Sequence, residues 1–251
     1  MRVTFLGTGT SRGIPVIGCQ CDTCTSTNPH NRRMRSSVMI ESDSTRVVID
    51  TSVDFRHQML EHDVRHLEGV VYTHSHADHI LGLDDVYPFN IWSGKPLKAW
   101  AAPATLAEIK TTFRHLFAET RYPGIPQVEL TPIDGPFAVG NLRFEPVEIL
   151  HGCLPILGFV IGGFGYLTDV SEIPDKSLEK LTGLDVLVLD ALRPRPHPTH
   201  FSIEQAAEMA CRLDAGQTYL IHMSHEVEHA AVSGQLPERV ALSYDGLVVE
   251  L

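Results

Sequence analysis

The chain has 251 residues, and 31 acidic against 20 basic side chains give it a net charge of -11. That balance excludes a protein that coats nucleic acid by charge alone, because phosphate neutralisation needs stripes of lysine and arginine. Hydrophobic residues at 43% suit a well-developed core, yet no apolar run approaches the roughly 20 residues needed to span a bilayer, which excludes a membrane-spanning helix.

In chain order, Val3 to Leu6 reads as a short strand closed by Gly7-Thr8-Gly9, with turn residues continuing through Gly13 and Pro15. The start lacks the longer apolar stretch of a secretory signal. GCQCDTC, from Gly18 to Cys24, then sets three cysteines on one tight loop. Three thiolates make a good soft-metal site, but a closed structural zinc almost always takes four ligands. Spacing alone leaves several histidines as the fourth, and a redox-active cysteine cluster is the rival reading. Free cysteines without a disulfide framework, together with the N-terminus, predict a cytoplasmic location.

Ser37 to Glu41 and Arg46 to Asp50 look like paired strands about a Ser42-Asp43-Ser44 turn. Asp50, ending VVID, is placed either to hydrogen-bond a metal-ligand histidine or to cap the next turn. A helix is expected over Asp54 to His62, and Val70 to Tyr72 is a buried strand. Ala104 to Phe117 fits an amphipathic helix through Leu106, Ile109, Phe113, Leu116 and Phe117. From Phe137 to Val147 the pattern returns to strands, with Gly140-Asn141 as a hairpin turn. A second hairpin joins Phe159–Ile161 to Tyr166–Leu167 across Gly162 and Gly163. Val186 to Leu189 is a continuous apolar strand ending in Asp190. Ser202 and Gln205 make a capping box for a helix to about Leu213, which would place Cys211 in the core. Tyr219 to Ile221 is one more strand, ending at His222.

Metal-ligand residue types thus sit in loops just beyond strand ends: His74, His151, Asp169 and His222. The whole pattern predicts an α+β fold, one domain over residues 1–251 built from two packed β-sheets with outer helices. HSHADH, His74 to His79, carries the most chemistry. Imidazole and carboxylate suit zinc, manganese and iron. In a loop leaving a strand, His74 and His76 can share one metal while Asp78 and His79 turn toward a second.

This H-x-H-x-D-H motif resembles the signature of the metallo-β-lactamase superfamily. The resemblance implies an αββα sandwich of two mixed sheets with two divalent metals at one edge. His74, His76 and His151 would hold the first metal, Asp78, His79 and His222 the second, and Asp169 would bridge both. Within the superfamily the opening GTGTSRGIPVIGCQCDTC is similar to that of PhnP-type phosphodiesterases. There the implied structural zinc is held by Cys19, Cys21, Cys24 and His225. HPTHFS, from His197 to Ser202, also resembles those enzymes, and the likeness assigns His200 as general acid.

The resemblance also implies an activity: hydrolysis of a small, cyclic ribosyl phosphodiester by metal-activated water, with Asp78 and His200 in catalytic roles. Two divalent cations outweigh two aspartates and a hydroxide, so the pocket can be positive inside an acidic chain. Ser11, Arg12 and His197 are the candidate substrate contacts, with Arg193 and Arg195 as further basic groups nearby. Nucleic acid is expected only as a nucleotide or RNA-end substrate, no membrane partner is expected, and the family likeness suggests a homodimer. RNA 3′-end processing and thioester hydrolysis are the alternatives inside the superfamily. The first would need a protruding arm, for which 90–122 is the available stretch. A non-catalytic nucleotide or phosphate binder is the alternative outside it. Cys153 has no role in any of these readings.

Overall fold

The computed structural model describes residues 1–118 and 123–251. Strands β1 (Arg2–Gly7), β2 (Ser37–Ser42), β3 (Thr45–Ile49), β4 (Gly69–Val71), β5 (Leu97–Ala101) and β6 (Val128–Pro132) lie side by side in that order. Pairing is antiparallel from β1 to β3 and parallel from β3 to β6. The second sheet contains β7 (Phe137–Val139), β8 (Leu142–His151), β9 (Leu154–Ile161), β10 (Phe164–Leu167), β11 (Val186–Asp190), β12 (Gln217–Ile221) and β13 (Val240–Leu242). It is antiparallel to β10 and parallel beyond. The last strand, β14 (Val248–Glu250), returns to pair with β1, so each sheet has seven strands.

The expected α+β sandwich is therefore what forms, and its central layer explains the sequence pattern. Val3, Phe5, Val38, Ile40, Val47 and Ile49 of the first sheet pack against Phe144, Phe159, Ile161, Tyr166 and Val188 of the second. The other face of each sheet is covered by helices, so β11 is apolar at every position but its last and buried throughout. Strands buried on both faces read as runs, without the alternation of a half-exposed sheet. Gly7 ends β1 where a Cβ would meet the Arg35 carbonyl at 2.0 Å, so this turn admits no side chain.

The helix after HPTHFS spans Ile203–Leu213 and opens with the expected capping box: Ser202 Oγ accepts the Gln205 N–H, and Gln205 Oε1 accepts the Ser202 N–H. Ser202→Ala is expected to cost about 1 kcal/mol, a fall in Tm of about 3 °C for a chain of this size, readable by calorimetry. This helix buries Ala206, Ala210 and Leu213. Cys211 is one residue, or about 100°, round from Ala210, and is exposed where the sequence placed it in the core.

Other boundaries differ. The helix expected over 104–117 is Pro103–Thr112, then a 3₁₀ turn at Arg114–Leu116. Leu106, Ile109, Phe113 and Leu116, which share one face at helical spacing, are still buried. Strand β8 runs on to His151, so that histidine is the last residue of a strand, not a loop residue beyond one. Strands β5 and β6 are additions to the expected set. Their exposed Lys98 and Glu129 stand opposite each other in register and interrupt the apolar pattern. In the stretch considered for an arm, β5 and the Pro103–Thr112 helix join the first sheet and its cover; residues 119–122 lie outside those described. Among the described residues no helix is long and apolar enough to cross a membrane.

Candidate functional site

His74 lies three residues past β4, Asp169 two past β10 and His222 one past β12, while His151 closes β8. These strand ends meet at one edge of the sandwich. His74, His76, His151 and Asp169 form one group of converging ligand atoms, and Asp78, His79, Asp169 and His222 form another. Within each, the ligand atoms lie within 4.8 Å of one another, and Asp169 belongs to both. Its Oδ1 is 3.1 Å from His222 Nδ1 and 3.3 Å from His79 Nε2. Its Oδ2 is 3.9 Å from His74 Nε2 and 4.0 Å from His151 Nε2.

A ring of partners behind the histidines orients them. Asp50 Oδ2 lies 2.7 Å from His79 Nδ1, and the Asp50 carboxylate also accepts the Thr73 N–H and hydroxyl. Of the two roles open to Asp50, the structure shows the hydrogen bond to a histidine. Thr73 Oγ1 lies 2.9 Å from His74 Nδ1, and His151 Nδ1 donates to the Thr199 carbonyl. These contacts leave Nε2 of His74, His79 and His151 facing inward. His222 is turned the other way, with Nε2 3.2 Å from Thr10 Oγ1 and Nδ1 toward Asp169. Asp50, Asp169 and His222 all adopt left-handed φ, at 65°, 57° and 62°.

Fully buried His79 Nε2 has no hydrogen-bond partner, although two carboxylates stand 3.3 and 3.4 Å away. An unpaired imidazole nitrogen facing buried carboxylates is costly unless a cation sits between them. The two clusters therefore suit divalent metal ions. Charge agrees. Burial opposes ionisation of Asp169, but facing His222, His79 and His74 outweigh it and hold the carboxyl well below its usual range. Burial holds the His74 imidazole toward its neutral form, the form that binds a metal.

His200 is brought to the same place. Its ring stacks on His222 at 4.9 Å and 15°, and meets His151 edge-on at 4.6 Å. It thus touches one histidine from each group. Its Nδ1 is 3.2 Å from Asp190 Oδ2. Burial works against a proton on His200, yet adjacent Asp190 outweighs it and shifts the imidazole toward the charged form. In sequence Asp190 reads only as the end of a strand. A signal is present, since VLVLD ends as VVID does, in an aspartate beyond a buried run.

Farther out, Cys19, Cys21 and Cys24 gather round His225 Nδ1 at 3.2, 3.5 and 3.8 Å. His225, the histidine the resemblance indicated as fourth ligand, is thus the one that lies among the three cysteines. The Cys21 thiol is lowered to about 7, chiefly by the Cys24 backbone N–H, while burial pushes Cys24 up to about 11. Ser11 and Arg12 are exposed on the loop carrying Thr10, and His197 lies 5.2 Å from His200. Arg193 and Arg195 both pair with Glu226, at 3.6 and 2.9 Å, which ties them to the segment after His225. Cys153 is exposed in the turn between β8 and β9.

Residues 45–223 match the family described as the β-lactamase superfamily domain. A crystal structure of a diphosphatase of the PhnP family is 42% identical, covers 100% of this chain and 97% of its own, and superposes with a TM-score of 0.94. Zinc-bound PqqB from Methylobacterium extorquens shares the fold at 17% identity, with full coverage of both chains and a TM-score of 0.78. A protein of Porphyromonas gingivalis named octanoyltransferase is 38% identical over 98% of this chain; the chain spans about half (51%) of that curated relative's length. The chain belongs to the metallo-β-lactamase superfamily, in its PhnP family.

Proposed function

We propose that the protein is a phosphodiesterase of small substrates, with a cyclic ribosyl phosphodiester as the leading one. The observation that carries this is His200, held against a histidine of each His/Asp group. That is where a proton donor serves a substrate lying across both. His74, His76 and His151 would hold one divalent ion, Asp78, His79 and His222 a second, and Asp169 would touch both; manganese, zinc and iron all suit these donors. Such ions supply charge to neutralise phosphate oxygens and to acidify water near neutral pH.

The chain's own residues do the rest. Asp50, Thr73 and Thr199 keep the imidazoles aimed inward, and burial of His74, His79 and Asp169 keeps bulk water from the floor of the site. His200 gives its proton to the departing oxygen as the ester bond breaks. Arg12 and Ser11, exposed beside Thr10, and His197, 5.2 Å from His200, would contact the remainder of a small substrate. Cys19, Cys21, Cys24 and His225 would hold a structural zinc, a Cys₃His set of established type.

The test is hydrolysis by manganese-loaded protein of a ribosyl 1,2-cyclic phosphate, a 2′,3′-cyclic nucleotide and a linear diester. A diphosphate diester is added because the PhnP-family relative is called a diphosphatase. The ribosyl cyclic ester is expected to be opened fastest, with His200→Ala lowering kcat by about 10²- to 10⁴-fold. Faster turnover of the diphosphate would replace the proposed substrate. No turnover of any of the four with metal bound would favour the binding-protein reading.

A further inference from the structure

Asp190 closes a strand in which every residue is buried, and its own side chain has no exposure. A buried carboxylate loses several kcal/mol of hydration and persists where a cationic or strongly donating partner faces it. Its Oδ2 takes two contacts, the Phe201 N–H and His200 Nδ1, both at 3.2 Å, while Oδ1 has none. The Phe201 N–H alone needs only a neutral acceptor, which an asparagine would provide. The one partner that calls for a carboxylate is the His200 ring.

We propose that Asp190 is a positioning residue for His200: it fixes the imidazole against His151 and His222 with Nδ1 protonated, so that Nε2 is the nitrogen that serves the leaving group. This rests on the proposed proton-donor role of His200. In the step, a hydroxide oxygen bonds to phosphorus as the bond from phosphorus to the leaving oxygen breaks, and the Nε2 proton passes to that leaving oxygen. That oxygen keeps the bonding pair, and the ring returns to its neutral form with the Nδ1 proton still bonded to Asp190 Oδ2. A carboxylate bonded to the far nitrogen both selects this tautomer and stabilises the charged ring before transfer.

The experiment compares two phosphodiesters that differ only in the leaving group. One releases p-nitrophenolate, stable without a proton, and the other releases an alkoxide, which needs one. Wild type, Asp190→Asn and His200→Ala are assayed as metal-loaded proteins, with bound metal counted and Tm measured. Asparagine keeps the volume and the acceptor for Phe201; Asp190→Ser gives the same contrast should Asp190→Asn not fold. The expected result is a loss in kcat at least about ten times larger on the alkyl ester than on the nitrophenyl ester in both variants, at wild-type metal content.

Equal losses on both esters in Asp190→Asn, beside a selective loss in His200→Ala, would make Asp190 merely structural and overturn the proposal while sparing His200. Absence of selectivity in His200→Ala would remove the proton donor itself, and the proposal with it. Asp190, His200 and His222 also bring ligand atoms within 4.8 Å of one another. Reduced metal content in both variants would mark Asp190 and His200 as ligands and likewise overturn it.

Discussion

Asp169→Asn is expected to lower turnover by at least about 10³-fold and to leave the protein short of its full complement of catalytic metal. The substitution keeps the volume but turns one of two oxygens into an NH₂ donor. Both oxygens are committed, Oδ1 toward His79 and His222 and Oδ2 toward His74 and His151. Whichever way the amide turns, it presents hydrogens to a space built for a cation and removes the negative charge the two groups share. Elemental analysis of dialysed protein, with kcat on the cyclic ester, reads both effects. A variant with full metal content and near wild-type kcat would show that Asp169 does not join the two groups.

The second large effect is expected on withdrawing the proposed zinc from the cysteine loop, by chelation or by Cys24→Ser. Tm should fall by about 10 °C or more, since a closed structural site contributes folding free energy directly and a loss of about 3–5 kcal/mol moves a chain of this size that far. Activity should fall with it. His225 is three residues from His222, and between them Met223 and Thr10 are joined by a backbone hydrogen bond that pins the N-terminal loop beside the site. The Ser224 N–H donates to the Leu192 carbonyl, and Glu226 grips Arg193 and Arg195 ahead of His200. Loosening His225 therefore loosens both His222 and the approach to His200. Zinc loss with unchanged Tm and kcat would rule out this structural role.

Much of this site was legible in sequence because its parts are local. HSHADH places four candidate ligands within six residues, and the capping box at Ser202 announces the helix that comes after His200. What spacing did not carry was the direction in which two neighbouring histidines face. His222 and His225 point to different sites because φ at His222 is left-handed and turns the chain as it leaves β12. Only the family likeness pointed to His225. Asp190 escaped notice because its partner lies ten residues away across a loop. Arg193 and Arg195 read in sequence as basic groups near the substrate, because Glu226 meets them only in the folded chain. Strands β5, β6 and β13 take shape by pairing with strands already laid down, a dependence that intrinsic preference does not record.

The left-handed residues at Asp50, Asp169 and His222 have a bearing on how such a chain can change over generations. A residue with a Cβ held at positive φ costs about 1 kcal/mol or more where glycine would cost little. Three such positions sit at one edge of the sandwich, on two different sheets. At Asp169 and His222 selection for folded protein alone would favour glycine and selection for turnover would restore the side chain, whereas the Asp50 carboxylate holds Thr73 and His79 and is kept by both. Library variants chosen only for heat resistance should therefore drift toward inactivity first at the codons of Asp169 and His222. A lineage released from its substrate would carry the same mark, glycines at strand ends where an aspartate or histidine once stood.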